Sequence, residues 1–154
     1  MINLDEIKEI AADFATIAGV PCYIVPMPLN VPATHLKLEY VGELLDRSNK
    51  LNRADNGAFK INLILRADGF NEAMFNEFRP ADKMLINNLS EDMKLESSGY
   101  IYVINCFDTA IEDIGFQYPE QALGISEPDP SNNDTSSRMI YTRVFQLKIN
   151  YSKK

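Results

Sequence analysis

The sequence predicts an α+β fold: a largely antiparallel or mixed sheet of about five strands with helices packed on it. Three observations carry this prediction. Residues 4–18 repeat apolar side chains at three- and four-residue steps. Two alternating runs, 35–44 and 59–66, flank one polar stretch, the pattern of an antiparallel hairpin. The chain then closes on a long alternation from Met139 to Tyr151. With 154 residues, 45% of them hydrophobic, it fits one domain over 1–154 and needs no disulfide or metal to sustain a core.

The first element is an amphipathic helix. Leu4, Ile7, Ile10, Ala11, Phe14, Ile17 and Ala18 share a face. Asn3 is placed to cap it, with Glu6 three residues on to reach back. Gly19 and Pro21 end it. Cys22 to Val25 is a short β-rich run. PMPLNVP, with three prolines in seven residues, reads as an extended connection because each proline removes a ladder donor.

His35 to Leu44 alternates, with Leu36, Leu38 and Tyr40 on one side and Lys37 and Glu39 on the other. The polar stretch DRSNKLNRADNG follows as the hairpin tip, ending in Asn56-Gly57, a pair suited to a tight turn. Phe59, Ile61, Leu63 and Leu65 then oppose Lys60, Asn62 and Arg66 in the return strand. Residues 71–89 are helical in composition, and Pro80 divides them into one piece near 71–79 and another beginning at the proline. Phe75, Phe78, Met84, Leu85 and Leu89 would cover the sheet.

The run Tyr100–Phe107 is apolar on both sides and reads as a central strand. Residues 108–138 then form a long acidic connection with seven acids and one base, Arg138. Its first half, with Ile111, Ile114, Phe116, Tyr118 and Leu123, wants burial; its second half has a disorder-prone composition. In the closing strand Tyr141, Phe145, Leu147, Ile149 and Tyr151 share a face with Arg143, while Thr142, Gln146, Lys148 and Asn150 form a wetter side with Val144.

Charge narrows the function. Lys+Arg is 15 against 22 Asp+Glu, net −7, so a nucleic-acid footprint or an anionic membrane surface is disfavoured. The acidic start MINLDEIKEI lacks the features of a signal peptide, and no run is long and apolar enough to span a bilayer as a helix. Cys22 and Cys106 form neither a C-x-x-C pair nor a disulfide framework, and they read as small buried hydrophobes of a protein made in the reducing cytosol, or of a particle assembled there.

Candidate chemistry is thin. His35 with Cys106 would need an orienting third group, and a strand-edge His with a buried Cys is the stronger reading. Asp129, Ser131, Asn133 and Asp134 resemble the opening of an EF-type loop, but glycine is missing at position six and Ile140 replaces the bidentate Glu at position twelve. The pairs Glu91-Asp92 and Glu112-Asp113 are neighbours in sequence and read as solubilising charge. No phosphate-binding or nucleophile-elbow motif occurs. No catalytic residue, metal or cofactor is therefore expected. Arg47, Lys50 and Arg53 make a basic cluster at the hairpin tip, and Asp129 and Asp134 lie in the acidic connection. Opposite charges on separate projections suit head-to-tail contact between identical subunits.

Taken together, the amphipathic helix NLDEIKEIAADFATIAG, the hairpin HLKLEYVGELLDRSNKLNRADNGAFKINLILRADG, the following helix and the closing strand RMIYTRVFQLKINY resemble the tail-terminator, or tail-completion and head–tail joining, proteins of long-tailed bacteriophages. Such sequences are often called minor capsid proteins. The proline-rich PMPLNVP and the acidic 108–138 segment depart from that pattern. The resemblance implies a non-enzymatic virion part, made in the host cytoplasm, that forms a ring, often hexameric. Its partners would be copies of itself, the tail tube and head-connector proteins. Other readings are another phage connector or tail component, or a cellular α+β binding module or small enzyme with a pocket around His35 or Cys106.

Overall fold

A computed structural model describes residues 2–25, 28, 30–44, 56–68, 74–117 and 140–154, with Met74, Phe75, Phe116 and Gln117 as backbone only. Helix α1 spans Leu4–Ala18. The Asn3 side chain accepts from the Glu6 N–H at 3.0 Å, and Gly19 closes the helix at φ 72°, its N–H donating to the Ala15 carbonyl at 2.8 Å. Both ends thus follow the sequence. The expected reach-back of Glu6 does not occur. Its side chain is only 8% exposed, and its carboxylate accepts from the hydroxyl of wholly buried Tyr102. A charged acceptor beside a buried phenol outcompetes a solvated backbone amide.

Seven strands of one sheet lie among the described residues, where about five were expected. They are β1 (Cys22–Ile24), β2 (Thr34–Leu44), β3 (Asn56–Asp68), β4 (Met93–Glu96), β5 (Tyr100–Ile104), β6 (Ala110–Gln117) and β7 (Ile140–Lys153). β1 runs parallel to β2, and every other pairing is antiparallel. The path is β1-β2-β3-β7-β5-β4, with β6 also on β7. The hairpin is present, β2 against β3, with Leu36 opposite Leu65 and Leu38 opposite Leu63.

The two unexpected strands have clear causes. β7 is 14 residues long, and β3 fills one of its edges from Ile140 to Ser152. Its other edge is only partly covered by β5, which pairs with residues 149–153. The remaining backbone groups at 140–146 need partners, and β6 supplies them from inside the segment expected as a connection. β4 is only four residues, too short to announce itself by period.

Between β5 and β6 the chain leaves the β7 edge through one 3₁₀ turn, Cys106–Asp108. The strand expected over Tyr100–Phe107 therefore stops at Ile104. It is not buried on both faces: Tyr102 and Ile104 are buried while Ile101 and Val103 are half-exposed. Asn56-Gly57 is strand, not turn, paired with Ser152 and Tyr151. A Cβ at Gly57 would stand 2.6 Å from the Tyr151 hydroxyl, so this glycine admits a ring rather than a bend.

Residues 74–89 form a π-helical turn, Met74–Phe78, that runs into α2 (Arg79–Leu89), with Pro80 in its first turn. Phe78, Ala81, Leu85 and Leu89 are buried as the pattern requires, whereas Met84 is 47% exposed on the outer side. Both helices cover one face of the sheet. Ile10 and Phe14 of α1 join Leu85 of α2 against Leu36, Leu38, Phe59, Ile61, Leu63, Leu65, Phe145, Leu147 and Ile149.

Polar contacts fasten the helices to that face. Arg143 of β7 reaches Asp82 of α2, with Nη2 donating to Oδ2 at 3.0 Å and Nε at 3.0 Å from Oδ1. Asp113 of β6 stands 3.9 Å from the same guanidinium and accepts from the Tyr141 hydroxyl at 2.9 Å. Glu9 of α1 accepts from the N–H and hydroxyl of Ser98, at 3.3 and 3.4 Å, in the β4–β5 turn.

Candidate functional site

No described helix packs on the other face of the sheet, and β2, β3 and β7 build its centre. Strand alternation sends Lys37 and Glu39 of β2, Lys60, Asn62 and Ile64 of β3, and Val144, Gln146 and Lys148 of β7 to this side. The register places Lys60 directly opposite Lys148 and Asn62 directly opposite Gln146. Two ammonium groups at facing positions repel, and among the described residues neither forms an ion pair.

Two irregularities wall this centre. In β2 the pairing slips between Tyr40 and Gly42, so Val41 is an extra residue and stands 55% exposed beside the lysines. Gly42 adopts φ 154°, which glycine tolerates. On the other side stands the turn between β5 and β6. The resulting groove, about 330 Å³, is lined by Val41, Lys60, Asn62, Gln146, Lys148, Asp108 and Ala110, among others.

The turn itself is tightly held. The Cys106 N–H donates to Asp92 Oδ1 at 3.0 Å, the Thr109 hydroxyl donates to the Asn105 carbonyl at 3.1 Å, and the Asp108 N–H donates to the same carbonyl at 3.0 Å. At its apex Phe107 is 98% exposed. An aromatic ring standing in water on the turn that walls a charged groove is the composition of a recognition surface, because such rings gain most from being covered.

Arg47, Lys50 and Arg53, with Asp129 and Asp134, lie outside the described residues, as does nearly all of the loop that resembled a calcium site. His35 and Cys106 do not meet. His35 is buried on β2, its Nδ1 2.8 Å from the Pro32 carbonyl and its ring edge-on to Tyr23. Cys106 sits across the sheet in the β5–β6 turn. Cys22 is half-buried, and burial pushes its thiol up to about 12, which keeps it protonated and unreactive at neutral pH.

The carboxylate pairs also have structural work: Asp92 caps the Cys106 turn, and Asp113 serves Tyr141 and Arg143. Among the described residues no group of three or more His, Cys, Asp or Glu side chains could hold a metal ion. No described helix is long and apolar enough to cross a membrane. A second groove, about 410 Å³, lies at the far end of α1 between Ala18, Pro21, Pro32, Thr34, Asn76 and Pro80, and neither groove is lined by His35 or Cys106.

The sequence does mark Lys60 and Lys148 as outward-facing, since each sits on the polar side of its strand. Their pairing depends on the β3–β7 register, which no local pattern encodes. Phe107 is concealed inside an apolar run. No protein-family model matches the chain, and no curated protein matches it either.

Proposed function

We propose that this chain is a structural virion-assembly protein of a phage or prophage: a tail-terminator or head–tail joining subunit that self-associates into a ring and caps the tail tube. It acts by contact, with no bond-making step. The observation that carries this reading is the open sheet face, where the Lys60–Lys148 pair lines a groove and Phe107 stands exposed in the turn that walls it. A lone subunit gains nothing from holding an aromatic ring in water, whereas an interface gains from covering it.

The order of elements supports the same reading, because the amphipathic first helix, the long hairpin, the helix on the sheet and the closing strand are the parts on which the resemblance to tail terminators rests. On this reading the partners are copies of the chain, the tail tube and the head connector, met in the host cytoplasm during assembly and kept in the virion. Negative-stain electron microscopy of the purified chain tests it. Closed rings of uniform diameter are expected. Featureless monomers at every concentration would overturn it.

A further inference from the structure

We infer that the groove on the open sheet face receives the outer side of helix α1 from a second copy of this chain. This deepens the ring reading and rests on it. The two surfaces carry opposite charge and point in opposite directions. On the open face Lys60 and Lys148 stand side by side without an acidic partner among the described residues, with Lys37 further along the same side. In the groove wall itself the acid is Asp108; elsewhere on that face stand Glu39 and Glu112, with Asp68 paired to Arg66 and Glu96 paired to Lys94.

On the far side of the molecule, α1 carries Asp5, Glu9 and Asp13 at four-residue steps, one stripe along the helix. Lys8 is the only base in the helix. The carboxyl of Asp13 is held above its ordinary range by partial burial first and by Glu9 second, and no base of the helix lies in the stripe itself, although Glu9 also accepts from Ser98. Each patch repels itself, and contact between them relieves both. Apolar groups match as well: Val41 lines the groove, Phe107 stands exposed next to Asp108 of its wall, and Leu4, 58% exposed, stands at the head of the stripe.

The geometry fixes the kind of assembly. Ile10 and Phe14 bury the inner side of α1 against the covered face, so the acidic stripe and the basic groove cannot meet within one subunit. A contact between two different surfaces is head-to-tail, and it closes into a ring where the rotation between copies allows and runs on as an open filament where it does not.

Sedimentation velocity over a concentration series tests this, with far-UV circular dichroism confirming the fold of each variant. The wild-type chain is expected to associate, more weakly at high salt. K60E/K148E and E9K/D13K are each expected to weaken association at least tenfold, and the quadruple variant to recover it. Phe107→Ser, at a side chain already in water, is expected to weaken it tenfold with the fold intact. If E9K/D13K does not fold, K60E/K148E and F107S decide. Wild-type association that both leave unchanged would overturn this interface while leaving the ring reading standing. A wild-type chain that never associates would overturn both.

Discussion

Replacing Tyr102 by phenylalanine removes one hydroxyl from the core and tests how α1 is fastened to the sheet. In the native chain that hydroxyl donates to the buried Glu6 carboxylate, and Ser97 Oγ lies 3.3 Å from it. The phenylalanine ring would fill the same space, so the loss is electrostatic rather than steric. A hydrogen bond to a charged acceptor contributes about 1.5–3 kcal/mol. At this chain length each kcal/mol moves Tm by about 2–4 °C. Tyr102→Phe is therefore expected to lower stability by about 2 kcal/mol and Tm by about 4–8 °C. Glu6→Gln keeps a carbonyl acceptor and should lose about 1 kcal/mol. Because the chain has no tryptophan, urea unfolding is best followed by far-UV circular dichroism. A double-mutant cycle should return a coupling of about 1 kcal/mol. Losses that simply add, or a Tyr102→Phe variant as stable as wild type, would refute the fastening.

Three further outcomes follow from other contacts. Arg143→Met should destabilise by about 3 kcal/mol in urea, because it strands the mostly buried Asp82 carboxylate without its partner; Asp82, pushed up chiefly by desolvation and lowered by Arg143, should then move higher still by NMR titration. Gly57→Ala should cost about 1–3 kcal/mol, since its methyl group would collide with the Tyr151 ring that Phe59 and Tyr100 hold in place. Alkali should destabilise the fold. The unfolded chain releases the Cys22 proton near pH 9, while the folded chain keeps it to about 12. That contribution is whole below pH 9 and is lost as pH rises toward 12. Burial, and then the bond to Glu6, push Tyr102 upward in the same sense. Thermal melts from pH 8 to 11 should show the fall, made shallower by Cys22→Ala.

Legibility varies with how local each signal is. Both ends of α1 can be read because caps are short-range chemistry, and Asn3 and Gly19 act as their residue types predict. The hairpin is legible because ten residues of alternation over-determine a strand. The Glu6 carboxylate misleads, since a capping partner and a buried acceptor look alike until Tyr102 arrives from 96 residues away. Asn56-Gly57 misleads for a related reason: glycine serves a turn or a close approach equally, and only the Tyr151 ring decides. β6 is hidden because its stimulus, the unfilled edge of β7, lies in another part of the chain. Phe107 looks like core within an apolar run, although hydrogen bonds to the Asn105 carbonyl and the Asp92 carboxylate shape the turn that leaves it in solvent. The Lys60–Lys148 pair needs the register of two strands more than 80 residues apart.

Native mass spectrometry of the purified chain across a dilution series measures most directly whether it works by joining copies of itself. The account predicts one dominant species at a fixed multiple of 17.4 kDa that gives way to smaller ones on dilution. A spectrum holding only the 17.4 kDa subunit, from the most dilute sample to the most concentrated, would contradict it.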